Sequence, residues 1–189
     1  PVNRRQRQMC IRDRFLIMRI KRLIELIDTY KDFPKKGIEF KDVLGIIQEP
    51  QVFKELISEM SSSQIIKNAE AIVSIDARGF IFGSAISFYS LKPMLVARKP
   101  GKLPGEVIEE EYYLEYGKSS LSIQKESIDR FSSYAIVDDL LATGGTIDCV
   151  ANILMKRGKK VTGVVTVVEL MNLNGRVSFN FPVEAIVSL

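Results

Sequence analysis

The 189-residue chain contains no histidine and no tryptophan. Without imidazole, proton transfer near neutral pH falls to Glu, Asp, Tyr or Lys, and histidine-ligated metal centres are excluded. Cysteine is scarce, with Cys10 and Cys149 the two present. No apolar run approaches the ~20 residues that a membrane-spanning helix needs. The stretch Phe15-Leu-Ile-Met18 is too short for the apolar region of a signal peptide, and Arg19 follows at once. Internal repeats and low-complexity tracts are absent, so fold and function must be read from ordinary patterning and from motifs.

Charge of one sign is also in short supply once its location is considered. The chain carries 27 basic and 23 acidic residues, a net charge of +4. The segment Arg4-Arg-Gln-Arg-Gln-Met-Cys-Ile-Arg-Asp-Arg14 holds five arginines and one aspartate, which accounts for the whole excess. It resembles the one-frame translation of a common sequencing-library adapter. Residues 1–14 are therefore expected to be non-native, ahead of a single domain over 15–189. A natural basic arm for nucleic acid or an anionic membrane is the competing reading. Without the segment, 22 basic residues balance 22 acidic ones. That balance predicts no nucleic-acid partner, and the missing spans predict no membrane. Cys149 then stands alone as a small apolar residue on a helix. One cysteine forms no intrachain disulfide, which fits a reducing, cytoplasmic location. The remaining 175 residues suit one domain with a sizeable core.

Hydrophobic periodicity alternates between helix and strand along the chain. Residues 17–30 read as an amphipathic helix with Ile20, Leu23, Ile24 and Ile27 on one face. Residues 50–60 read as a second helix and 80–89 as a third. Strands are expected at 71–75, 93–97, 134–137, 161–168 and 183–187, with an exposed strand at 120–124. Residues 98–118 are rich in Gly, Pro, Lys and Glu and read as a long, mobile loop, which in a compact domain usually serves as a lid. The order predicts an α/β fold, a parallel sheet flanked by helices, with a site at the strands' C-terminal edge.

One segment carries most of the chemistry: Tyr134-Ala-Ile-Val-Asp-Asp-Leu-Leu-Ala-Thr-Gly-Gly-Thr146. An apolar run ends in Asp138 and Asp139, a small-residue loop follows (Ala142, Thr143, Gly144, Gly145, Thr146), and a helix begins. Glycines let the backbone wrap an anion, and the helix N-terminus adds free N–H groups and the positive end of its dipole. The aspartates would repel phosphate but accept hydrogen bonds from sugar hydroxyls. Together they describe a site for a ribose 5-phosphate, against the plainer reading of an ordinary strand-to-helix turn.

Four further segments invite a similar choice. Asp76-Ala-Arg-Gly-Phe-Ile-Phe-Gly83 places Arg78, with its planar fork, at a strand's end where a second anion could bind; otherwise it is a surface arginine beside a turn. Arg98-Lys-Pro-Gly-Lys-Leu-Pro-Gly105 puts three cations on kinked backbone, either a solvated loop or a flap over a polyanionic leaving group. Leu114-Glu-Tyr-Gly117 holds a carboxyl beside Tyr112, Tyr113 and Tyr116, where partial desolvation would raise its pKa. Phe33-Pro-Lys-Lys-Gly-Ile-Glu-Phe-Lys-Asp42 is a loop with two buried aromatics, or a stacking platform for a planar base.

The five segments, in this order, resemble the adenine phosphoribosyltransferase family from about residue 20 to the end. Arg98-Lys-Pro-Gly-Lys-Leu-Pro104 and Leu114-Glu-Tyr-Gly117 are the specific parts of the match, and Glu169-Leu with Gly175-Arg176 adds a weaker one. The resemblance implies a type I phosphoribosyltransferase fold: a parallel, Rossmann-like sheet with a flexible lid loop and a small N-terminal hood. It implies adenine and phosphoribosyl pyrophosphate (PRPP) as substrates, Mg²⁺ as cofactor and a homodimer. Ala142 to Thr146 would bind the 5-phosphate. Asp138 and Asp139 would hold the ribose hydroxyls, directly or through a Mg²⁺ carried mainly by PRPP. Arg78, Arg98, Lys99 and Lys102 would surround pyrophosphate. Phe40, beside Lys41, would stack on adenine, Glu115 would exchange a proton at the purine N7, and Tyr116 would help close the lid. Asp76, Lys41 and Glu39 depart from the residues usual in the family. The alternatives are a phosphoribosyltransferase for hypoxanthine, guanine or xanthine, and a non-catalytic PRPP sensor.

Overall fold

The computed structural model of the chain describes residues 18–114 and 117–189. The non-native segment expected at residues 1–14 lies outside the described residues, as do Glu115 and Tyr116. The chain divides into two compact units, one up to Glu55 and one over Leu56–Leu189.

In the first unit, helix α1 covers residues 18–25, followed by strands β1 (Asp28–Lys31) and β2 (Glu39–Asp42), the short helix α2 (Leu44–Ile47) and the start of α3 (Pro50–Ser62). The single helix expected over 17–30 is corrected. It stops at residue 25, and Tyr30 pairs with Phe40 in the antiparallel β1–β2 ribbon. Thr29 and Tyr30 are strand formers, and a partner ten residues onward overrides a helical periodicity that carries only local information. The turn between the strands is fixed locally. Asp32 adopts a left-handed conformation, its carboxylate accepts from the Gly37 N–H at 2.7 Å, and the Phe33–Pro34 bond is cis. The Phe33 and Phe40 rings meet edge to face, 5.1 Å apart.

The second unit continues through α4 (Gln64–Asn68), β3 (Ala71–Ile75), α5 (Gly79–Ser90), β4 (Met94–Ala97), β5 (Val107–Leu114), β6 (Gly117–Gln124), α6 (Lys125–Asp129), β7 (Ser133–Leu141), α7 (Gly145–Lys156) and β8 (Lys160–Glu169). Two 3₁₀ turns, Met171–Leu173 and Gly175–Ser178, lead to β9 (Val183–Ser188). Five strands form a parallel sheet in the order β4-β3-β7-β8-β9. Continuous Val/Ile runs suit strands covered on both faces, and every residue of β3 is buried. One face carries Val73, Ile75, Tyr134 and Ile136, packed with Ile147, Val150 and Leu154 of α7. From β3 the chain crosses one way to β4, whereas from β7 it crosses the other way to β8. The line between β3 and β7 is therefore a topological switch point, where α/β sheets open a crevice at the strands' carboxyl ends. No helix among the described residues is long and apolar enough to cross a membrane.

The long loop expected over 98–118 is also corrected, from Val107 onward. Its second half, Val107–Leu114 with Gly117 and Lys118, belongs to the antiparallel ribbon β5–β6, in register from Val107↔Gln124 to Leu114↔Gly117. Nor is the strand at 120–124 exposed: Leu121, Ser122 and Ile123 are buried. Three consecutive glutamates in β5 hid its strand character. What decides the structure is its partner strand, with Leu121 and Ile123 packed into the main core. Arg98, just past β4, exchanges two backbone hydrogen bonds with Ser122 (3.0 and 2.7 Å), tying the ribbon to the sheet.

Candidate active site

The switch point gathers short segments at the ends of β3, β4 and β7. The two aspartates sit within β7 rather than after it; Asp138 is in register with Thr166 of β8. Both are buried. The Asp139 N–H donates to Asp138 Oδ1 at 2.9 Å, which fixes that carboxylate against its own backbone. From the neighbouring β3 edge, Arg78 Nε lies 2.8 Å from Asp139 Oδ2. The contact is an ion pair without hydrogen-bond alignment, so Oδ2 remains a buried acceptor with no hydrogen bond. Gly79 makes the approach of the two edges possible, because a Cβ there would stand 2.6 Å from Asp138 Oδ1.

Burial dominates the electrostatics. It pushes the Asp138 carboxyl well above the usual aspartate range, with the charge on Asp139 as the second cause. Asp139 is likewise raised by burial, and Arg78 offsets part of that rise. A pair of desolvated carboxylates with one guanidinium beside Asp139 leaves Asp139 Oδ2 short of a hydrogen-bond donor. Vicinal hydroxyls of a sugar would supply one.

After Leu141 the chain turns through Ala142 and Thr143 to Gly144, whose φ of +87° is left-handed. Gly144 is the N-cap of α7, and no side chain caps the helix there. The first-turn N–H groups, on Gly145 and Thr146 among others, lack intrahelical acceptors. They face an anion-ready helix start. Gly144 also admits the turn behind it: a Cβ would lie 2.7 Å from the Gly175 carbonyl and 2.9 Å from the Phe179 ring.

At the end of β4, Arg98 Nε donates to Asp76 Oδ2 at 3.0 Å, and its guanidinium lies 5.8 Å from the Phe80 ring centroid. Lys99 and Lys102 are exposed on the irregular segment before β5. Arg78, Asp138, Asp139 and the 142–146 loop are thus neighbours at one edge, with Arg98 beside Asp76 at the same strand ends. Phe40 and Lys41 belong to the first unit, where Lys41 Nζ bonds Thr29 (3.0 Å) and Glu39 (3.3 Å). Glu115 and Tyr116 lie outside the described residues.

Sequence reasoning missed three features. The Asp76–Arg98 pair joins residues from different strands, and only the sheet order reveals it. Gly79 carries no local sign that its work is to admit Asp138. The Glu169–Arg176 pair carried only a weak motif signal, although Glu169 is almost fully buried. Cys149 is buried as expected, its thiol pushed up to about 11 by desolvation and therefore unreactive. Among the described residues, no cluster of three or more His, Cys, Asp or Glu could hold a metal ion.

Comparison with known proteins adds independent findings. The phosphoribosyl transferase domain family matches residues 45–181. An adenine phosphoribosyltransferase of Prochlorococcus marinus (strain MIT 9515) is 70% identical over 164 residues, covering 87% of this chain and 96% of that protein. The crystal structure of adenine phosphoribosyltransferase from Thermoanaerobacter pseudethanolicus superposes with a TM-score of 0.83 at 33% identity, covering 90% of this chain and 99% of that one. The Saccharomyces cerevisiae enzyme, complexed with an imino-altritol bisphosphate and adenine, also gives a TM-score of 0.83, at 31% identity and with coverage of 90% and 99%.

Proposed function

This chain belongs to the phosphoribosyl transferase family, among its adenine phosphoribosyltransferases, and on that premise we propose how its residues transfer the 5-phosphoribosyl group of PRPP to N9 of adenine, giving AMP and pyrophosphate. The reading rests on one juxtaposition: two buried aspartates in β7, followed at once by a left-handed glycine and an uncapped helix N-terminus. The 5-phosphate sits on the N–H groups of residues 142–146, assisted by the hydroxyls of Thr143 and Thr146. Asp138 and Asp139 accept hydrogen bonds from the ribose 2- and 3-hydroxyls.

Held at both ends, the sugar presents C1 between the leaving group and the base. The bond from C1 to pyrophosphate breaks, and its electron pair leaves on the pyrophosphate oxygen. Arg78, Arg98, Lys99 and Lys102 neutralise that charge. C1 gains oxocarbenium character, which the buried carboxylates favour. N9 of the N7–H tautomer of adenine forms the new bond, and Glu115 takes the proton from N7. Phe40 stacks on the base, with Lys41 beside it. Tyr116 and the segment after β4 keep water from C1, where it would hydrolyse PRPP.

The donor set fits Mg²⁺, an ion usually held by one or two carboxylates plus substrate phosphate oxygens and water. Asp138 and Asp139 are the residues that would hold it, and when bound it neutralises negative charge on pyrophosphate. With Cys10 set aside in the segment expected to be non-native, Cys149 stands alone, which supports a cytoplasmic setting. The exposed Phe88 and Leu91 at the end of α5 offer apolar surface for the homodimer that the resemblance implies. The experiment is to incubate the full chain with PRPP, Mg²⁺ and adenine and to separate the products. Equal amounts of AMP and pyrophosphate are expected; consumption of PRPP to pyrophosphate without AMP would overturn the reading.

A further inference from the structure

We infer that the Glu169–Arg176 fork positions the phosphate loop, by fixing the turn on which that loop rests. The inference builds on the proposed PRPP site and assigns a role to two residues that the reaction scheme leaves unused. Glu169 is the last residue of β8 and only 1% exposed. A carboxylate so buried is unfavourable unless a partner satisfies both oxygens. Arg176 does so: its Nε donates to Oε1 at 2.5 Å and its Nη2 to Oε2. The planar guanidinium matches the carboxylate as a two-bond fork, which sets orientation as well as distance.

Arg176 belongs to the 3₁₀ turn Gly175–Ser178, and Gly175 is where turn and loop meet. A Cβ on Gly175 would stand 2.1 Å from the Ala142 carbonyl and 2.9 Å from Leu141 Cδ1. In the other direction, the Gly175 carbonyl lies 2.7 Å from the place of a Cβ on Gly144. Ala142 and Gly144 are loop residues assigned to the 5-phosphate, so no slack separates the turn from the site. The backbone around the fork is tied as well. Leu170 N–H donates to the Leu141 carbonyl at 2.9 Å, and Leu189 N–H donates to the Glu169 carbonyl at 2.9 Å. Releasing the fork frees the turn, and the turn takes Ala142 and Gly144 with it. Arg176 is thus a positioning residue, acting on substrate through Gly175.

The consequence is selective. A displaced loop weakens the grip on the 5-phosphate, which PRPP carries and adenine lacks. In Arg176→Gln the KM for PRPP rises on the order of tenfold while the KM for adenine stays within about twofold. Arg176→Lys keeps the charge beside Glu169 but not the fork, and falls between wild type and Arg176→Gln. The test is steady-state kinetics on the full chain with each substrate varied in turn, alongside thermal unfolding of each variant. A purely structural role lowers Tm and active fraction but leaves both KM values alike, and that result overturns the inference. Parallel changes in both KM values overturn it too. Should Arg176→Gln fail to fold, Arg176→Lys carries the same comparison. A wild-type chain that makes no AMP would instead fault the proposed reaction, so the two failures are distinct.

Discussion

Gly79→Ala puts a single methyl group where β3 and β7 converge. Its Cβ would lie 2.6 Å from Asp138 Oδ1, and 3.3 Å from both Asp138 Cα and the Val137 carbonyl. Ordinary contact begins at 3.4 Å, so one side must yield by about 0.8 Å. The carboxylate cannot simply swing aside, because Oδ1 accepts from the Asp139 N–H at 2.9 Å. The other two neighbours belong to the backbone of the central strand. The N-terminus of α5 must therefore move outward, or Asp138 must rotate and break its own hydrogen bond. Overpacking of this kind costs about 1–3 kcal/mol. For a chain of this size that corresponds to a Tm lower by roughly 2–12 °C. Either movement shifts Asp138, which is proposed to hold the ribose, or the adjoining Arg78, and a displacement approaching 1 Å costs activity on the order of 10²-fold. AMP formation under saturating substrates, read with thermal unfolding, measures both effects. A variant with wild-type turnover and an unchanged Tm would refute the reasoning, because it would show that the β3–β7 edge has room the structure denies.

If Asp138 holds the ribose as proposed, Asp138→Asn should lower kcat/KM on the order of 10²–10³-fold, since an amide offers one acceptor oxygen in place of two. The same substitution should stabilise the ligand-free protein. Asp138 is raised well above the ordinary aspartate value of 3.8, so the folded state holds a proton that the unfolded state has already lost. Stability is fully present below 3.8 and declines as pH rises through the folded-state value. Melting curves over pH 4–8 should therefore slope downward more steeply for wild type than for Asp138→Asn; parallel slopes would contradict the burial argument. Arg98→Ala removes the partner of Asp76 and a cation assigned to the leaving group. The KM for PRPP should rise about tenfold or more, and Arg98→Lys should restore only part of the loss, because it lacks the fork. Light scattering on the purified chain should give twice the 21.3 kDa monomer mass; a monomer would count against the homodimer.

The legible and illegible parts of this chain differ in physical kind. β3, β7 and β8 are continuous apolar runs that read as buried strands wherever they occur. The loop from Asp138 to Thr146 was legible because its chemistry is local: carboxylates, small residues and a helix start, in consecutive order. Tyr30 and the three glutamates of β5 misled because their structure comes from partners elsewhere in the chain, Phe40 in one case and Leu121 with Ile123 in the other. The close approaches were invisible for the same reason. That Gly79 faces Asp138, that Gly175 faces Ala142, and that Asp76 receives Arg98 follow from a strand order that no local pattern encodes.

The central claim is that this PRPP site serves adenine. The most direct measurement gives the full chain limiting PRPP and Mg²⁺ with an equal mixture of adenine, hypoxanthine, guanine and xanthine, and quantifies every nucleotide formed. AMP is expected as the dominant product. IMP, GMP or XMP in its place would contradict the base assignment, and PRPP that binds without any nucleotide forming would contradict catalysis itself.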